Sequence, residues 1–205
     1  MRRRKMIDER KFKKVLESIT FTELSDRFPK NYLTIDYEPL YAIKRILARH
    51  CVCYFDEDHK TDTKLINCLD TLFIERKIEE KKEIFFSDFA GVTGTKANDF
   101  CSFEDFKQEQ YERNLECKKF TDYKIVKYQV FNTVSADDAN PLEDAKILTW
   151  SNKIYADTRN KSHRFALLCK LNELEKRNDG YTVGVTEYSI DEDAKNDFLE
   201  NCYGD

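Results

Sequence analysis

The stretch Ile154-Tyr155-Ala156-Asp157-Thr158-Arg159-Asn160-Lys161-Ser162-His163-Arg164-Phe165-Ala166 constrains this chain more than any other. A β-compatible run enters a polar turn, and the turn enters an apolar helical segment, so a strand must hand over directly to a helix. The first backbone N–H groups of a helix lack intrahelical partners, and its aligned peptide dipoles place partial positive charge at the same end. An anion binds where the two coincide. Ser162 can cap the helix or hydrogen-bond an anion, and Arg164 can make a two-pronged contact with a phosphate. His163 can act as a cation, a proton carrier or a leaving-group acid. With Asn160 these residues form a candidate anion pocket, and Asp157 is a candidate metal contact. The same letters also spell an ordinary Ser-capped helix with a surface His and a snorkelling Arg.

Around this segment the pattern predicts an α+β protein: a helical N-terminal half packed with a small mixed β-sheet in the C-terminal half. Phe12, Val15, Leu16 and Ile19 recur at helical spacing over residues 7–20. Helices are also expected over 21–28, 38–50 and 63–80, with a β-compatible stretch at 51–55. The character changes near Lys82. Residues 1–81 then form a helical region and 82–205 an α+β region within one compact domain. Glu83-Ile84-Phe85-Phe86 reads as a strand and Gly91-Val92-Thr93-Gly94 as a loop. Ser102 caps a helix reaching about Cys117. Residues 123–134 read as a strand, and 142–146 as a short turn. Residues 147–150 and 153–157 form a hairpin around Ser151-Asn152. After the Ser162 helix, Asn178-Asp179-Gly180 is the expected stop. Tyr181, Val183 and Val185 alternate with polar or small residues in a strand, and Asp191 caps a last helix.

The segment 153–190 resembles the ParB/sulfiredoxin-like superfamily, whose members carry a strand, a motif similar to D-G-H-H-R or G-x-H-R, an Ala/Leu-rich helix and a further strand. Here the matching residues are Asn160-Lys161-Ser162-His163-Arg164, followed by Phe165-Ala166-Leu167-Leu168. The resemblance implies that the turn and Arg164 grip nucleotide phosphates, in a family that includes nucleotide hydrolases, a kinase, a sulfinic-acid reductase and nucleases. Asn160 replaces the family's acidic residue, and Lys161 its Gly, which changes how closely the backbone approaches a phosphate. Ser162 occupies the position of the sulfiredoxin cysteine, so that redox chemistry is not expected.

The formal net charge of −4 argues against a DNA-coating protein but allows a local basic patch. Arg2, Arg3, Arg4 and Lys5 form one, suited to nucleic-acid contact; a solvated, frayed terminus has the same composition. No long apolar run suggests a membrane span, and no apolar segment follows the basic start as a secretory signal would. The seven cysteines are therefore expected to be reduced, in a cytoplasmic protein. His50, Cys51, Cys53 and His59 do not follow a zinc frame, and buried cysteine is the commoner use. Gly91-Val92-Thr93-Gly94-Thr95-Lys96 departs from the phosphate-loop spacing, because Thr95 separates the second Gly from the Lys.

Together these features favour a nucleotide-phosphate-binding protein with phosphoryl-transfer or nuclease-like chemistry, using a nucleoside triphosphate and magnesium. Two other classes fit the same letters. One is a non-enzymatic protein-binding inhibitor or immunity-type protein of a phage or mobile element. The other is a nucleic-acid-binding accessory protein using its basic N-terminus.

Overall fold

The computed structural model describes residues 9–18, 71–93, 102–117, 121–132, 144–158 and 161–201. In chain order these form α1 (Glu9–Ser18), β1 (Phe73–Phe85), a 3₁₀ turn (Phe86–Asp88), β2 (Phe89–Thr93), α2 (Phe103–Glu116), α3 (Tyr123–Asn132), β3 (Asp144–Leu148), β4 (Lys153–Asp157), α4 (Ser162–Leu174), β5 (Gly180–Ile190) and α5 (Glu192–Asn201). The fold is α+β, with one mixed sheet of strand order β1-β5-β3-β4-β2. β3 and β4 form the antiparallel hairpin, β3 runs parallel to β5, and β4 runs parallel to β2.

Residues paired across neighbouring strands share a face, so the registers sort the side chains. Ala145, Ala156, Val183 and Val185 lie on one face and are all buried. Helices α3 and α4 cover this face. The Phe131 ring stacks 4.3 Å from Tyr181, and the Phe165 ring meets Phe89 edge-on at 5.1 Å. α2 then lies against α4, tied by Lys107 and Lys170 to Glu104 and Glu173. The opposite face carries Leu148, Tyr155 and Tyr188, also buried, together with Asp144, Lys146, Asp157 and Thr186. Helices α1 and α5 meet through Phe12 and Phe198, with ring centres 5.8 Å apart.

Several local expectations are corrected. The expected helix over 63–80 is a strand from Phe73, and β1 continues unbroken to Phe85. The boundary at 81/82 therefore falls inside one strand. The Glu- and Lys-rich sequence of β1 favours helix, but its pairing with β5 overrides that preference. Residues 123–132 form a helix, not a strand. Tyr123, Val126 and Val130 are buried at helical spacing, and Asp122 accepts the Ile125 N–H at 3.0 Å. Gly91, Val92 and Thr93 belong to β2, and Asp144–Lys146 to β3.

Helix α4 ends earlier than Asn178-Asp179-Gly180. Leu174 is its last residue, and Lys176 takes the left-handed position at φ 53°. Lys176 N–H bonds to the Glu173 carbonyl at 3.0 Å and Arg177 N–H to the Asn172 carbonyl at 2.9 Å, the double bond of a Schellman ending. Gly180 serves a different purpose. A Cβ there would sit 3.1 Å from the Ile84 carbonyl oxygen and 3.2 Å from Phe85, so glycine lets β5 start against the end of β1. The Ser102 cap, the hairpin, β5 and the Asp191 cap match expectation, the last with Ala194 N–H 2.8 Å from Asp191 Oδ1.

Candidate functional site

The hairpin presents Asp157 at the end of β4, and the next residue, Thr158, is completely buried. Its carbonyl accepts the Lys161 N–H at 2.8 Å, which ties the end of β4 to the start of α4. The N-cap of α4 is Lys161 and not Ser162, and Lys161 makes no side-chain cap bond. Ser162 is already helical. Both are buried, at 5% and 4% exposure, so the first turn of α4 is set into the fold. His163 is half-buried and Arg164 exposed. Successive helical residues point about 100° apart, so the two cationic candidates face different ways.

α2 receives His163. Gln110 Oε1 lies 2.9 Å from His163 Nδ1, and the Phe106 ring meets the imidazole edge-on at 5.3 Å. Asp157 faces the sheet side of the site. Its Oδ2 is 3.4 Å from Lys146 Nζ, and the Lys146 side chain is 10% exposed. Asp144 is the direct cross-strand neighbour of Asp157 and accepts the Thr186 hydroxyl through Oδ2. Its other oxygen is inaccessible and has no hydrogen-bond partner. Tyr155, opposite Lys146, is a phenol whose pKa burial pushes above the ordinary value of 10.0, so it stays neutral. The charge of Asp157 is offset by Lys146, which limits its repulsion of an anion at the turn.

β2 ends beside the same place. Thr93 is paired with Asp157, and because β2 and β4 are parallel, both chains leave the sheet at one edge. The segment Gly94-Thr95-Lys96 continues from there, outside the described residues, as do Asn160, the Arg2–Lys5 patch and the His50, Cys51, Cys53 and His59 set. Ser162, His163 and Arg164 share the first turn of α4, with Asp157 at the end of the preceding strand.

Gln110, Phe106, Lys146, Asp144 and Thr186 are additions that the motif reading did not supply. The Lys146–Asp157 and Asp144–Asp157 relationships follow from the hairpin register, once the strand is extended back to Asp144. The Gln110–His163 contact spans 53 positions between two helices and has no local sequence signal.

Among the described residues, no group of three or more His, Cys, Asp or Glu is placed to hold a metal ion. The residues fit magnesium only as an ion carried by phosphates, which needs one or two carboxylates from the protein. Asp157, at the end of β4 and bridged to Lys146, is the carboxylate that precedes the start of α4. A groove of about 340 Å³ lies between α1, α5 and Trp150, lined among the described residues by Phe12, Leu16, Trp150 and Ile190 and not by the start of α4. No helix of the described residues is long and apolar enough to cross a membrane. Compared with protein-family models, curated proteins and solved structures, the chain finds no match in any of the three.

Proposed function

We propose that this chain is a cytosolic protein that binds the phosphates of a nucleotide at the first turn of α4. One observation carries the reading. β4 runs into that turn beside the end of its parallel neighbour β2, and the turn holds Lys161 and Ser162 buried with Arg164 exposed next to them. Open sheets bind ligands outside the carboxyl ends of their parallel strands, and helix N-termini favour phosphate there. In this reading Arg164 neutralises phosphate, Ser162, Asn160 and the helix end orient it, and His163 moves a proton. The chemistry that suits such a set is phosphoryl transfer. Magnesium, arriving with the nucleotide, would supply charge neutralisation. The resemblance of residues 160–168 to the ParB/sulfiredoxin-like motif supports the same assignment.

The test is a thermal-shift panel of ATP, CTP, GTP, UTP and NAD, with and without magnesium, on wild type and Arg164→Ala. A ligand present at about a hundred times its Kd adds about 2.7 kcal/mol of stability. The expected result is a nucleotide-dependent rise in Tm that Arg164→Ala abolishes while its ligand-free Tm stays put. Absence of any shift would overturn the proposal and leave an ordinary helix start.

A further inference from the structure

We propose that Gln110 is a positioning residue for His163, holding the neutral imidazole with its hydrogen on Nδ1 so that Nε2 is the ring's proton acceptor. The inference rests on the reading of His163 as the proton carrier of the α4 site and specifies the form in which it acts.

Gln110 is 4% exposed, in the middle of α2, at a position where the helix packs on α4. An amide there has to be paired at both ends or lose the hydrogen bonds it made to water. It is paired at one end only. Oε1 meets His163 Nδ1 at 2.9 Å, whereas Nε2 is inaccessible and has no partner. An apolar side chain of the same length would fill the space without leaving a donor unpaired. The energetic case for glutamine at this position therefore rests on its one side-chain bond, which ends on the imidazole.

A carbonyl oxygen only accepts hydrogen bonds, so the ring nitrogen facing it has to carry a hydrogen. In a neutral imidazole this assigns the lone pair to Nε2, and in the imidazolium the same bond persists. The ring can thus take a proton at Nε2 and release it without reorienting. The edge-on Phe106 ring at 5.3 Å, one turn before Gln110 on α2, packs against the imidazole as well. The fixing group is an amide and carries no charge, so it orients the ring without holding a proton on it as a carboxylate would. Of the charged residues on α2, Glu104 and Lys107 pair with Lys170 and Glu173, further along α4 from His163. Arg164 follows His163 directly and is exposed.

The experiment is a long-range ¹H–¹⁵N correlation spectrum of the full chain. It is recorded at a pH well above the ordinary His value of about 6.5, with His163 assigned by its loss in His163→Gln. The chain has 3 histidines, which makes that assignment direct. The expected wild-type pattern is the Nδ1–H tautomer, the less favoured form of an unconstrained side chain. Gln110→Met should return the ring to the Nε2–H form. Gln110→Glu should keep Nδ1–H and raise the His163 titration midpoint by about one unit or more. An Nε2–H pattern in wild type would overturn the proposal, as would a pattern unchanged in Gln110→Met. If Gln110→Met does not fold, the wild-type tautomer and the Gln110→Glu midpoint decide. None of these readouts requires nucleotide, so a failed thermal-shift panel removes the phosphate site without touching the tautomer result. An Nε2–H ring in a protein that still binds nucleotide removes only the role of Gln110.

Discussion

Tyr123 and Asp179 stand 56 positions apart and meet through a hydrogen bond of 2.8 Å from the phenol to Oδ2. The bond pins the start of α3 to the turn between α4 and β5. Lys127 reaches the same carboxylate at 3.2 Å, and the Arg177 guanidinium lies over the Tyr123 ring at 4.3 Å. The hydrogen bond from Tyr123, helped by Lys127, holds the Asp179 carboxyl below its ordinary value of 3.8. Burial and the same bond push the Tyr123 phenol above its ordinary 10.0.

Tyr123→Phe should therefore cost about 1.5–3 kcal/mol at neutral pH, the range for a hydrogen bond to a charged group. A depressed carboxyl contributes stability above its unfolded value and loses it as pH falls through the folded one. A raised phenol contributes below its unfolded value and loses it as pH rises through the folded one. Urea unfolding of the pair should show a constant gap between about pH 5 and pH 9 that narrows toward both extremes. A gap that stays the same at low pH would show that the carboxylate is not the partner that matters.

Lys107 is 10% exposed at its side chain and sits between Glu104 and Glu173, with Lys170 completing the network. Burial alone would depress this ammonium, but the two carboxylates outweigh it, and Lys107 lies above its ordinary value. Lys107→Met should destabilise the fold by about 1.5–3 kcal/mol, because two carboxylates lose their shared cation. The loss should shrink when Glu173 is replaced by Gln in the same chain, which a double-mutant cycle would read.

The ending of α4 offers a stabilising change. Lys176 holds a left-handed backbone that costs a side-chain-bearing residue energy and costs glycine little. Lys176→Gly should raise stability by about 0.5–1 kcal/mol, while Gly180→Ala should lower it through contact with Ile84 and Phe85. Opposite signs in a pair of melting curves would confirm which of the two residues ends the helix.

Phe165 is fully buried one turn into α4 and meets Phe86 and Phe89 edge-on at 6.1 and 5.1 Å. Phe165→Ala should cost about 3–5 kcal/mol. Since this ring seats the start of α4 on β2, any nucleotide-dependent thermal shift should weaken with it, whereas Phe198→Ala, between α1 and α5, should lower Tm and leave that shift intact.

How far the sequence could be read differed with the kind of signal. The hairpin, α4 and β5 were legible because turn residues and apolar periodicity agreed at Ser151-Asn152, Phe165–Leu171 and Tyr181–Val185. In β1 the local and global preferences conflict: Glu79-Glu80-Lys81-Lys82 suits a helix, and only pairing with distant β5 makes it a strand. For α3, aromatic and β-branched residues suggested β structure, although the spacing of Tyr123, Val126 and Val130 and the preceding Asp122 were available as helical signs. At the site, the strand–turn–helix order was visible, but the buried seat of Ser162 and the approach of Gln110 depend on how α2 packs on α4.

The sheet order also bears on how the protein is made. Among the described strands β1 lies at one end of the order and pairs with β5, Phe73 with Ile190 and Phe85 with Gly180. During synthesis from the N-terminus, β1 leaves the ribosome long before its partner and must wait unpaired. Such waiting strands are where nascent chains stick to one another. The run Glu75-Arg76-Lys77 and the later Glu79-Glu80-Lys81-Lys82-Glu83 make this one a poor template for association. The charge density that disguises β1 as a helix therefore also acts as its protection in transit.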